Sequence, residues 1–99
     1  MRNITVGIDI GSYQVKIVVA ELVQEGEKKI PRILGTGFSE SRGLRHGYII
    51  NSSEVTDSVR AALALAEKSS GIKIRKAYLS IGGIGLQTIT NTSSVMISR

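Results

Sequence analysis

Ninety-nine residues suffice for one small domain or a piece of a larger one, and the absence of cysteine excludes a disulfide framework or a cysteine-ligated metal centre. The formal charge of +5 is spread along the chain, and three tyrosines with one phenylalanine are too few for a base-stacking platform, so no nucleic-acid partner is expected. No apolar run approaches membrane-spanning length, no signal-peptide pattern precedes the first β-like run, and the lack of cysteine agrees with a cytoplasmic protein.

The chain opens with a predicted hairpin. Val6, Ile8 and Ile10 alternate with Gly7 and Asp9, the period of a strand, and predict one over residues 3–10. A second strand is predicted over 14–23, where the nearly continuous apolar run from Val15 to Leu22 reads as buried on both faces. Between them lies Asp9-Ile10-Gly11-Ser12-Tyr13, with Lys16 seven residues after the aspartate. Gly11 permits a tight turn, and outward backbone N–H groups with a serine hydroxyl make an anion-binding concavity. Asp9 stands ready to hold a divalent cation or its water, and Lys16 adds positive charge. The competing reading is an ordinary hairpin whose Asp-x-Gly-Ser is turn chemistry alone.

A charged loop follows over 24–29, centred on Gly26, and Pro31 opens a third strand near 32–39. A helix is predicted over 55–66. Asn51 is its N-cap, Glu54 sits in capping-box relation, and Val55, Val59, Ala62, Leu63 and Ala66 form a core-facing stripe before Gly71 ends it. Strands are expected over 72–81 and 86–96. Gly82-Gly83-Ile84-Gly85 between them is a turn, because no helix follows to offer its N-terminus to a phosphate. Thr88, Thr90, Asn91, Thr92, Ser93 and Ser94 give the last run a polar face, either solvated or an interaction surface. His46, alone, is expected at the surface.

Residues 4–20 resemble the first phosphate-binding motif of the actin-like ATPase superfamily. The resemblance implies a hairpin that cradles the β- and γ-phosphates of ATP, with Asp9 organising magnesium through water and Asp9, Gly11, Ser12, Tyr13 and Lys16 forming the nucleotide-binding set. Gly35-Thr36-Gly37-Phe38-Ser39-Glu40-Ser41-Arg42-Gly43-Leu44-Arg45-His46-Gly47 is similar to the FtsA family of bacterial cell-division proteins, whose third strand ends in a Ser-Arg-Gly loop before the first helix. The run Lys76 to Gly83 looks like the first strand of the small subdomain that this family inserts.

On that resemblance the fold class is α/β (α+β by order of elements), a β-β-β-α start of an actin-like, ribonuclease-H-like lobe. Residues 1–71 would be the first part of that lobe and 72–99 the start of the inserted subdomain. The chain then reads as the N-terminal part of a longer protein, with a self-contained domain as the alternative. The implied protein binds ATP and Mg, with weak or regulatory hydrolysis, and polymerises into filaments. It would link an FtsZ-like tubulin homologue and other divisome proteins to the inner face of the membrane, through an anchor outside these residues. No residue is assigned a catalytic role, and Arg42 is expected to pair with a carboxylate or hold its loop by backbone hydrogen bonds. The alternatives are an actin-like pilus-assembly ATPase, a phosphotransferase or chaperone of the same superfamily, and a non-enzymatic β-rich binding module.

Overall fold

Alternating apolar residues drive the sheet. In the computed structural model, which describes residues 3–45 and 48–81 and the backbone of 86–90, the elements run in mixed α/β order. They are β1 Ile4–Ile10, β2 Gln14–Glu25, β3 Lys28–Glu40, β4 Leu44–Arg45, β5 Tyr48–Ile49, α1 Ser52–Ser70, β6 Lys76–Ile81 and β7 Leu86–Thr90. Five strands form one sheet in the order β3-β2-β1-β6-β7, and β4 and β5 form a separate two-stranded ribbon. β1 pairs antiparallel with β2 and parallel with β6, so the chain passes through β2, β3 and α1 before returning beside its first strand.

One face of this sheet is the core. Val6, Ile8 and Ile10 of β1, Val15, Ile17 and Val19 of β2, and Ala77, Leu79 and Ile81 of β6 are buried beneath α1. The helix answers with Val55, Val59, Ala62 and Ala66 at helical spacing. Ser58, a polar residue on the same buried stripe, donates to the Glu54 carbonyl at 3.0 Å and accepts from the Arg42 amide at 3.0 Å. Its burial therefore leaves no hydrogen bond unmade.

The helix rests on β3 at backbone distance. A Cβ on Gly35 would lie 2.5 Å from the Ser70 amide nitrogen, and one on Gly37 would lie 2.6 Å from that of Ala66 and against the Ala62 carbonyl. Two glycines at strand period, facing small residues on the helix, allow this approach. Both ends of the helix close as the sequence predicts. Asn51 Oδ1 accepts from the Glu54 amide at 3.1 Å, and the amide of left-handed Gly71 donates to the Glu67 carbonyl at 2.8 Å. The helix is longer than the predicted 55–66, because polar residues at both ends carry it beyond the apolar stripe to the caps at Asn51 and Gly71.

Several expectations are corrected. β2 is buried mainly on one face, with Lys16 and Val18 exposed on the other and only Ala20 buried there. The run of apolar residues reads as doubly buried because Val18 is as apolar as its buried neighbours. The loop over 24–29 contracts to a two-residue turn at Gly26 and Glu27, since β2 and β3 stay paired out to Glu25 and Lys28. Pro31 lies within β3, at the sheet edge where its missing N–H costs no ladder bond. Leu34 is an extra residue there, because Val19 pairs with Gly35 and Ala20 with Ile33. β6 pairs with β1, and Ile72 and Ile74 pack against the same core as Ala77 and Leu79. Residues 72–75 form no strand. The predicted strand over 86–96 is present as β7. Its continuation, the polar residues from Asn91 onward, the turn at 82–85 and His46 lie outside the described residues.

Candidate functional site

The β1–β2 hairpin arranges the predicted residues around its turn. Asp9 and Lys16 are direct cross-strand partners, and both are exposed on the sheet face opposite α1. Among the described residues neither is engaged in an ion pair, so a carboxylate and an ammonium stand side by side on an open surface. In the same row Phe38 flanks Lys16 and Ser80 flanks Asp9.

The Gly11 amide donates to the Gln14 carbonyl at 3.0 Å and closes the turn. A Cβ at Gly11 would meet that carbonyl at 3.2 Å, so the glycine serves a close approach rather than left-handed backbone. Ser12 and Tyr13 sit at the tip, with the Tyr13 ring 89% exposed. Their surroundings were not legible in the sequence. Ser12 and Tyr13 line a cleft of about 410 Å³ together with Leu44 and Arg45 of the loop that follows β3. Asp9 and Lys16 lie outside this cleft; Lys16 instead borders a shallow apolar hollow of about 190 Å³ with Val18, Thr36 and Phe38. The five predicted residues thus share one hairpin but face two surfaces.

The Ser-Arg-Gly loop is held to that hairpin by backbone chemistry. The Ser41 amide donates to the Tyr13 carbonyl at 3.0 Å, and the Ser39 hydroxyl donates to the Ser58 carbonyl. Gly43, at φ +79°, offers its carbonyl to the amides of Ile50 at 2.8 Å and Asn51 at 3.0 Å. Arg42 satisfies both of its expected roles: its amide goes to Ser58 Oγ, and its Nε lies 3.6 Å from Glu40 Oε1 on an exposed surface. An exposed pair of this kind contributes about 0–1 kcal/mol. Ser58 was missed by sequence reasoning, although a serine three residues after Val55 on the apolar stripe was the available signal.

No group of three or more metal-binding side chains occurs among the described residues, so any cation here would rest on Asp9 and on groups brought by a ligand. Magnesium accepts that arrangement, since it commonly keeps several waters and takes one or two carboxylates beside substrate phosphates.

No protein-family model matches the chain. Individual proteins do. The cell division protein FtsA of Borreliella burgdorferi is 33% identical over 97 residues, 98% of this chain and 23% of the relative. That of Pseudomonas aeruginosa is 29% identical over 92 residues, 93% of the chain and 21% of the relative. That of Bacillus subtilis is 33% identical over 82 residues, 83% of the chain and 18% of the relative. The chain therefore spans about a fifth of the length of the relatives it matches. The chain is thus similar to FtsA cell division proteins of distant bacteria over nearly its whole length, across a sheet and helix that carry both motifs.

Proposed function

We propose that this chain is the N-terminal part of an FtsA-like cell-division protein, and that its β1–β2 hairpin forms one wall of a magnesium–ATP site. The observation that carries the reading is the register of Asp9 with Lys16 beside the Gly11-Ser12-Tyr13 turn. Carboxylate, ammonium and turn donors are the groups a magnesium polyphosphate needs. Gly11 would set the turn through its bond to the Gln14 carbonyl, Tyr13 would act through its backbone amide, Ser12 through its hydroxyl, Lys16 on the phosphates, and Asp9 on the waters of the ion. The ion, when bound, neutralises phosphate charge.

A single hairpin leaves the adenosine and the far side of the phosphates to residues beyond this chain. Nucleotide would then act as a conformational ligand, favouring one arrangement of two lobes and with it filament formation. Hydrolysis in this reading is weak or regulatory. The filament would join an FtsZ-like tubulin homologue and other divisome proteins to the cytoplasmic face of the membrane. Among the described residues no helix is long and apolar enough to cross a membrane. Residues 1–71 would be the first part of the actin-like lobe and 72–99 the start of the family's inserted subdomain.

The test is magnesium–ATP binding by the longest protein that begins at this Met1. Asp9→Ala should weaken magnesium-dependent binding about tenfold or more, and Lys16→Ala should weaken ATP far more than adenosine. Unchanged ATP affinity in both variants removes the hairpin from the site.

A further inference from the structure

The loop after β3 brings a cation to the hairpin tip that neither motif accounts for. Gly43 reverses the chain, and the ribbon that follows pairs Leu44 with Ile49 and Arg45 with Tyr48. Successive residues of a ribbon point to opposite sides. Leu44 is buried at 7% exposure and anchors the ribbon in the core, while Arg45 is exposed. The Ser41 amide on the Tyr13 carbonyl fixes this loop against the turn, and Arg45 comes to line the same cleft as Ser12 and Tyr13.

The neighbouring arginine is spoken for. Arg42, three residues away, pairs with Glu40 at 3.6 Å, whereas among the described residues Arg45 has no carboxylate partner. A cleft of about 410 Å³ falls in the range of roughly 300–1,000 Å³ typical of small-molecule sites. A guanidinium presents five donors in a planar fork, a geometry that suits phosphate oxygens.

We propose that Arg45 is a phosphate-binding residue, contacting a polyphosphate that is also held by Ser12 at the hairpin tip. This rests on the hairpin being a nucleotide site. It adds a second cation, carried by the loop rather than the sheet. Lys16 and Arg45 would then meet the phosphates from the two surfaces that the hairpin separates.

The experiment measures affinity of the full-length protein for magnesium–ATP, inorganic tripolyphosphate and adenosine, in wild type and in Arg45→Ala, Arg45→Lys, Arg42→Ala and Asp9→Ala. Arg45→Ala should lower affinity for ATP and tripolyphosphate about tenfold or more and leave adenosine unchanged. Arg45→Lys should recover part of the loss, and Arg42→Ala should bind as wild type. If Arg45→Ala binds ATP as wild type while Asp9→Ala does not, Arg45 is outside the site and the nucleotide reading stands. Equal losses for ATP and adenosine would assign Arg45 a structural role and overturn the proposal. A wild-type protein that binds neither ATP nor tripolyphosphate overturns both readings. Should the alanine variant unfold, Arg45→Gln keeps part of the aliphatic stem and a polar end, removes the charge and decides between the same outcomes.

Discussion

At Gly43 the backbone turns through φ +79°, and a Cβ there would run into the Asn51 carbonyl and lie 3.0 Å from Glu54 Cβ. Two independent penalties apply, left-handed strain and a clash with backbone that also carries the helix N-cap. Gly71 has nearly the same φ, +73°, but open space around it. Gly71→Ala should therefore cost only the conformational part, on the order of 1 kcal/mol, while Gly43→Ala should cost about 2–4 kcal/mol. Paired denaturant titrations read the difference. Equal losses at the two glycines would mean that the loop does not close on the helix as described. Arg45 and the Ser41–Tyr13 bond depend on that closure, so Gly43→Ala should also weaken ATP, by misplacing the loop.

The helix and the hairpin were legible because their signals are local. Asn51, the Val55-to-Ala66 stripe and Gly71 fall within one continuous stretch, and Val6, Ile8 and Ile10 alternate over a few residues. What sequence could not supply was anything that needs two distant segments at once. The pairing of β6 with β1, the seating of Ala62 and Ala66 on Gly37, and Arg45 beside Ser12 all join residues far apart in the chain. The capping box is a case where a local rule was half right. Asn51 Oδ1 does cap the Glu54 amide, but the Asn51 amide goes to the Gly43 carbonyl. Asn51 thus joins helix and loop, and Asn51→Ala should destabilise by about 1 kcal/mol, with Asn51→Ser restoring most of it. Faster amide exchange in the first turn of α1 would localise the effect. A loss spread evenly over the sheet would count against a capping origin.

At the scale of the whole chain the two faces of the sheet are unequal. Helix α1 covers one, and the other presents Val18 at 39%, Phe38 at 59% and Tyr78 at 46% exposure. Among the described residues this face is an apolar surface, next to a β3 edge that no strand pairs. Both features favour self-association, but they separate under one substitution. Phe38 lies directly across from Lys16, so Phe38→Glu replaces an apolar contact with a cross-strand ion pair and leaves the backbone edge intact. The isolated chain should bind a hydrophobic dye and sediment as species larger than a monomer. Phe38→Glu should reduce both without loss of strand signal in circular dichroism. If association persists while dye binding falls, the β3 edge drives it, and the open face contributes little to the behaviour of the isolated unit.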